Sequence, residues 1–420
     1  MGTSGEARKT IPMRARGLLL VAALPAVVAT APGTSSASAA VTTTAELEAR
    51  AQSVRRLRGG PPTGTVARAE RHASSIPRSP VRRVAPRVPS AVARAESARP
   101  DASALDTALL AQAYARAAEL PRLRSLLVHW RGELVAERYF GGAGRSTRAN
   151  IKSASKSVVS ALVGIAIERG SIPGVDQPIA ELLPAYFDAR TDPRKRAITV
   201  EDLLTMRSGL ETTSFYNYGS WVTSQNWVRD ALRRPVVAER GAGGPMIYST
   251  GSTHLLSAAL TRATGMSTYR FADRYLARPL GISLRPWTTD PQGIYFGGND
   301  MLMTPRDMVK LGALYLNEGR APNGRQVVPR AWVERSTQPR TRSGWSGNEY
   351  GYGWWLRQAA GHAVFYAWGY GGQFIFVVPD LQLVVVTTSA SNVAEREHGH
   401  LEAIYALLEH YIVPAVDGTV

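Results

Sequence analysis

The stretch NIKSASKSVVSALVGIAIERG, residues 150–170, decides how the chain is read. From Ser153 onward it is a mostly apolar helix that Gly170 stops. Ser153 and Lys156 stand three residues apart, which puts them on one helix face about one turn apart. A lysine amine can therefore reach the serine hydroxyl. Serine is a weak nucleophile at neutral pH unless a base stands beside it. Lysine serves as that base when burial or a neighbouring cation lowers its pKa. A helix N-terminus at Ser153 would also aim backbone N–H groups at a developing anion. The pattern alone is common, and a helix cap with a snorkelling lysine is its bland alternative. Its context is less common. The chain has 50 Lys plus Arg, of which only Lys9, Lys152, Lys156, Lys195 and Lys310 are lysine. One of these five opens an apolar helix, where an unpaired charge is costly to bury.

Working outward, "LRSLLVHWRGELVAERYF" reads as strand, tight turn at Trp130-Arg131-Gly132-Glu133, and strand. "AITVEDLLTM" opens a helix with Thr199 as N-cap and Asp202 at capping-box spacing. "MTPRDMVKLGALYLNEG" repeats the device with Thr304, Pro305 and Asp307, and Gly319 as the stop. "GQFIFVVPDLQLVVVTTS" gives two β-rich runs separated by Pro379-Asp380, a hairpin signal. "HLEAIYALLEHYIV" forms an amphipathic closing helix. A strand pair first, a helical middle and late strands predict an α/β (α+β) domain. Its first and last strands would share one antiparallel sheet, flanked by helices and carrying a helical insertion.

Two further elements carry chemistry. Tyr248-Ser249-Thr250 precedes a helix at "STHLLSAALTRATG", and Tyr248 is a general acid or base candidate if its phenol reaches Ser153. A buried tyrosine with a satisfied hydroxyl is the alternative. "YAWGYGGQF" places Gly369, Gly371 and Gly372 ahead of a strand, where the backbone can approach a ligand closely and offer N–H groups to an oxyanion. A glycine bulge is the alternative there.

Taken in order, the three elements resemble the penicillin-recognising serine hydrolases. That superfamily includes class C β-lactamases, D,D-peptidases, related esterases and the 6-aminohexanoate-dimer (nylon oligomer) hydrolases. The resemblance covers roughly residues 120 to 412. It rests on "NIKSASKSVVSALVGIAIERG", "RAITVEDLLTMRSGL", "GNDMLMTPRDMVKLGALYLNEG" and "GYGGQFIFVVPD". It implies a β-lactamase-like fold and an acyl-enzyme on Ser153, with Lys156 as base partner. Tyr248 would match the tyrosine of the family's Y-x-N element. Gly369 would match the glycine of its K-T-G strand, with the Tyr370 and Ser153 N–H groups as the oxyanion hole. No metal or organic cofactor is implied.

Two positions depart from that pattern. Thr250 stands where Y-x-N has asparagine, so one amide that could contact a substrate carbonyl is missing. The K-T-G strand reads Ala367-Trp368-Gly369, with no Lys or Arg between Arg357 and Arg396. A carboxylate-bearing β-lactam or D-Ala-D-Ala stem would lose a charge-assisted contact worth roughly 1.5–3 kcal/mol. This tilts the reading toward neutral or linear amides and esters, as in the nylon-oligomer branch. Phe215, Tyr216, Tyr218 and Trp221 in one loop, with Trp345 and Trp368, are expected at an aromatic pocket rim suited to apolar acyl chains. His398, His400 and His410 lack the acidic spacing of a metal site.

Composition bounds the rest. With 420 residues, 44% of them hydrophobic and 20% charged, the chain can bury a sizeable core. It has no cysteine, which excludes disulfides, thiolate metal sites and a cysteine nucleophile. Residues 1–39 read as a secretory signal: Arg8, Lys9, Arg14 and Arg16, an apolar run of about 15 residues, and Ala37-Ser38-Ala39 as cleavage site. The run is shorter than the ~20 residues that span a bilayer. The expected product is a secreted, extracellular protein. The net charge of +17 is unevenly spread. Residues 41–100 hold 12 Arg against 4 Glu, so much of the charge sits in an Arg/Ala/Pro-rich linker expected over 40–103. That segment offers no aromatic stacking platform, which argues against nucleic acid. A solvated linker is one reading of it, and adhesion to an anionic cell-envelope polymer the sharper one. The expected partner of the domain at 104–420 is a small-molecule amide or ester. A catalytically inactive envelope-binding protein of the same fold, or a true β-lactamase or D,D-peptidase, is the alternative.

Overall fold

The computed structural model describes residues 105–391 and 399–418. The signal segment, the Arg-rich linker and His398 lie outside the described residues. Helix α1 (Thr107–Ala118) opens the described chain, capped by the Asp106 carboxylate on the Leu109 N–H at 2.8 Å. Strands β1 (Leu123–Trp130) and β2 (Glu133–Tyr139) follow as the expected hairpin. Arg131 at φ 49° and Gly132 at φ 91° form its turn, and this left-handed pair matches the twist of the flanking strands.

The helical insertion comes next. It includes α2 (Ser155–Glu168), α3 (Thr250–Thr264) and α4 (Pro305–Leu316). Thr199 and Asp202 form a reciprocal capping box, and Thr304 caps α4 through the Asp307 N–H. The chain then returns to the sheet with β3 (Thr341–Arg342), β4 (Glu349–Tyr350), β5 (Trp355–Ala359), β6 (His362–Gly369), β7 (Gln373–Val378) and β8 (Leu383–Ser389). Helix α5 (Gly399–Leu407) leads into the closing turns through Asp417. The sheet has eight antiparallel strands in the order β2-β1-β8-β7-β6-β5-β4-β3. The first strand of the fold pairs with the last, Leu127 opposite Val386.

Both faces of the central strands are buried, which is why β7 and β8 read as unbroken apolar runs rather than alternating ones. Phe374, Phe376, Leu383 and Val385 pack with Leu110 of α1 and with Ile404 and Leu407 of α5. Ile375, Val377, Val384 and Val386 face the opposite core, with Val159 and Leu162 of α2 and Met308 and Leu311 of α4.

The insertion is tied to the sheet just before α2. Ala149–Asn150 pairs with Leu302–Met303 in a two-residue ladder, and the Ile151 N–H donates to Met301 O at 2.9 Å. Lys152 then takes a left-handed φ of 51°, a conformation that costs a non-glycine residue on the order of 1 kcal/mol or more. Its N–H donates to Asn150 Oδ1 at 2.9 Å, and its carbonyl accepts from Ser155 Oγ at 2.7 Å. These bonds hold the turn that presents Ser153.

Candidate active site

Ser153 lies in a one-turn 3₁₀ segment, Lys152–Ala154, that runs directly into α2. It is therefore two residues ahead of the α-helix rather than inside it. The three-residue spacing survives the junction: Lys156 Nζ stands 3.0 Å from Ser153 Oγ. Lys156 also donates to Gly298 O at 2.8 Å and to Thr250 Oγ1 at 3.5 Å. The side chain is 1% exposed and has no carboxylate beside it, so burial alone pushes its ammonium down to about 7. In the neutral amine two N–H groups can serve Gly298 and Thr250. The lone pair then faces the serine hydroxyl, the arrangement of a general base.

Tyr248 approaches the same serine from the end of the long loop before α3. Its phenol hydrogen-bonds Ser153, and burial raises its pKa well above the ordinary tyrosine value. At neutral pH it therefore carries its proton and can serve as a general acid. Lys156 Nζ sits 5.0 Å from the centre of its ring. Trp355 stacks on that ring at 5.8 Å, and Phe215 and Tyr350 flank it at 6.2 and 6.5 Å. The Tyr248 carbonyl accepts from Thr212 Oγ1 at 2.6 Å. Ring packing and backbone together fix the phenol.

The end of β6 closes against the serine turn from the other side. A Cβ on Gly369 would meet the Ile151 carbonyl oxygen at 2.0 Å, so only glycine lets the strand come this near. Tyr370 follows and, with Ser153, lines a cleft of about 440 Å³. Lys152, Phe215, Tyr218, Trp345 and Trp368 line it too, which brings together most of the expected rim. Two expected rim residues lie elsewhere. Trp221 is fully buried, packed on Trp227, His254 and Phe296, with its indole N–H given to Trp227 O at 2.9 Å. It anchors the loop rather than the substrate. Tyr216 is 79% exposed and does not line the cleft. Of the histidines, His400 is buried with Nε2 at 3.0 Å from Ser389 Oγ, and His410 is exposed.

The sequence reading gave some cleft residues no role of their own. Gly298 supplies the carbonyl that holds Lys156, and a Cβ there would come within 3.1 Å of Nζ. Asn299, next in the chain, donates to the Tyr218 hydroxyl at 2.8 Å and lines the cleft. A side-chain amide is thus present, from a different element than the Y-x-N pattern suggests. Thr250 makes contacts of its own, with Oγ1 lying 2.8 Å from Ser214 Oγ and accepting from Lys156. Asp300 lines the cleft at φ 67° and accepts from Asn150. The Gly297-Gly298-Asn299-Asp300 run was the available signal for all but Thr250.

The fold is found in known proteins. A family model described as Beta-lactamase matches residues 124–409, and the chain belongs to that family. More particularly, it is 26% identical over 298 residues to the 6-aminohexanoate-dimer hydrolase of Paenarthrobacter ureafaciens, covering 64% of this chain and 72% of that protein. Among solved structures it is similar to EstCE1, a hydrolase with promiscuous acyltransferase activity, at a TM-score of 0.59 and 17% identity, covering 71% of this chain and 98% of that one. It is also similar to the octameric penicillin-binding protein homologue from Pyrococcus abyssi, at a TM-score of 0.55 and 19% identity, covering 72% and 76%. The last two show the fold alone.

Proposed function

We propose that the protein is a secreted serine hydrolase that cleaves amide or ester bonds through an acyl-enzyme on Ser153. The 3.0 Å approach of a buried, carboxylate-free Lys156 to the Ser153 hydroxyl carries this reading. Lys156 takes the serine proton as Oγ attacks the substrate carbonyl. The Ser153 and Tyr370 N–H groups are assigned to the oxyanion. Tyr248, protonated, donates to the departing amine or alkoxide, and water releases the acyl group in a second half-reaction. The relative from Paenarthrobacter ureafaciens is named for cleaving a linear amide, which supports a linear amide or ester here. The aromatic cleft suits an apolar acyl chain. The Arg-rich segment is proposed to hold the secreted protein to anionic envelope polymer.

Labelling with a fluorophosphonate tests the reading. One adduct on Ser153 by intact-mass and peptide mapping is expected. No adduct would return the protein to a binding role within the same fold, and an adduct on Ser155 or Ser157 would overturn the Ser153 assignment.

A further inference from the structure

His254 and Asp290 form a buried pair that the proposed reaction does not use. His254 lies on α3, one turn after Thr250. Its Nε2 stands 3.1 Å from Asp290 Oδ2, and both side chains are fully enclosed. Trp221, Trp227 and Phe296 pack on the imidazole at 5.8, 5.3 and 6.0 Å. Nε2 donates to the carboxylate, and the buried Nδ1 has no hydrogen-bond partner among the described residues. Such a pair is a weak source of stability, since apolar residues of similar volume in its place are often neutral or stabilising. Its reach sets it apart. Asp290 Oδ1 accepts from the Gln292 and Ile294 N–H groups, each at 2.9 Å. Phe296 bonds back to Thr288 and Trp287, so residues 287–296 form one hairpin. His254 ties that hairpin to α3, and Ser257 adds a bond to Tyr295 O at 2.6 Å. The hairpin runs into Gly297 and Gly298, which lie on the backbone of α3. A Cβ on Gly297 would meet Thr253 O at 2.1 Å, and one on Gly298 would meet Thr253 Oγ1 at 2.5 Å. The Gly298 carbonyl then accepts from Lys156 at 2.8 Å.

We propose that His254 and Asp290 are positioning residues for the lysine base: they clamp the hairpin to α3 and so hold the Gly298 carbonyl where it takes one Lys156 N–H. Thr250, at the start of the same helix, takes a second, which leaves the lone pair of the amine to Ser153. The inference rests on Lys156 as the base that activates Ser153 and adds the residues that aim it. Glycine has no side chain to fix it, so the direction of its carbonyl depends on what pins the run on either side. Asn299 pins one side through the Tyr218 hydroxyl at 2.8 Å, and the Asp290 hairpin pins the other. A displacement of about 1 Å at a catalytic group can cost a hundredfold in rate, so a clamp remote from the chemistry can govern it.

The full-length double variant His254→Leu with Asp290→Leu separates positioning from stability, because it replaces both partners by apolar groups. Its melting temperature should stay within a few degrees of the unsubstituted protein or rise. Its single-turnover acylation rate at saturating nitrophenyl ester should fall at least about tenfold, with the half-saturating concentration changed less than about twofold. His254→Gln, whose amide reproduces the Nε2 donor, should recover most of that loss. Full acylation rate in the folded double variant, a loss carried by half-saturation alone, or a His254→Gln as slow as the double variant would overturn the proposal. Should the double variant not fold, His254→Phe, which keeps a ring and removes the hydrogen bond, is measured against His254→Gln with the same expectations. Fluorophosphonate labelling of Ser153 and the rate of Lys156→Ala read the catalytic assignment separately. If both stand while the double variant acylates at full rate, the clamp alone fails.

Discussion

The two walls of the cleft are built by different physics. One is polar and enclosed. Ser153, Lys156, Thr250 and the Gly298 carbonyl come from three separate stretches of the insertion, and Lys156 is tied to each of the other three. The other wall is aromatic and open. Trp368 leans on Trp345, Trp355 and Phe374, and Trp345 is 54% exposed. In the proposed reaction the first wall fixes the chemistry, because the nucleophile and its base are held there, with the Tyr248 phenol beside them. The second fixes what can reach it. Substitutions on the two sides should therefore fail differently, the enclosed side in rate and the open side in substrate choice.

The largest effect belongs to the enclosed wall. Ser153→Ala should reduce turnover by a factor on the order of 10³ or more, and Lys156→Ala almost as far, because members of one catalytic unit are not additive. Steady-state rates on a nitrophenyl ester measure this, with circular dichroism to confirm folding. Full activity in Ser153→Ala would remove the nucleophile assignment and with it the meaning of the enclosed wall.

The open wall should govern substrate choice. With Ala367-Trp368 where the K-T-G pattern has its lysine and threonine, and so no cation on this strand, a nitrophenyl ester should exceed nitrocefin in kcat/KM by at least about two orders of magnitude, the size of one lost charge-assisted contact. Trp368→Lys should narrow that gap by improving nitrocefin. The cleft does contain one ammonium, Lys152, with the Asp300 carboxylate lining the same space. Comparable rates for nitrocefin and ester would show that Lys152 meets the carboxylate, and Lys152→Gln would then abolish the β-lactam rate selectively.

The next effect is graded with pH and separates base from scaffold. Only neutral Lys156 can accept the serine proton, so kcat/KM should fall about tenfold per unit as pH drops below about 7. Stability follows the same group. Its folded pKa of about 7 lies below the ordinary 10.5, so between those values the unfolded chain holds a proton that the folded chain has released. The unfolding free energy from this residue therefore rises with pH across that window, and its cost is full at pH 7 and below. Lys156→Met should be inactive yet melt higher than the unsubstituted protein at pH 7, less so at pH 10. The orphaned Gly298 carbonyl tempers the gain. A lower melting temperature for Lys156→Met at pH 7 would show that Lys156 is held charged by a partner.

How legible these walls were in the sequence follows from how local each signal is. Strands β7 and β8 were readable because both of their faces are buried, which writes Phe374 to Val378 and Leu383 to Val386 as apolar runs. Ser153 and Lys156 were readable because one helical turn joins them. The far strands β3 and β4 were not, since two residues each leave no periodicity. Thr250, Gly298 and Asn299 act through contacts with residues distant in sequence, for which spacing holds no code. Trp221 and Tyr218 share one loop, and only three-dimensional packing sends the first into the core and the second to the cleft.

The smallest expected effect concerns the chain ahead of both walls. Leu105 packs against the core, and Asp106 follows, whose side chain caps α1 and whose N–H donates to Ala415 O at 2.8 Å in the closing turns. That bond ties the start of the domain to its end. Residues 41–100 contribute 12 Arg, 4 Glu and no aromatic side chain, too little apolar surface to add to a core. A protein beginning at Asp101 should therefore keep kcat/KM within about twofold and its melting temperature within a few degrees. Tyr216→Ala should be equally quiet, since a ring this exposed outside the cleft gives up little on truncation. What the shortened protein should lose is salt-sensitive retention on an anionic polymer column, because the excess charge sits in the removed segment. If it is insoluble, or if its kcat/KM falls tenfold, the segment belongs to the domain and the boundary moves toward the N-terminus.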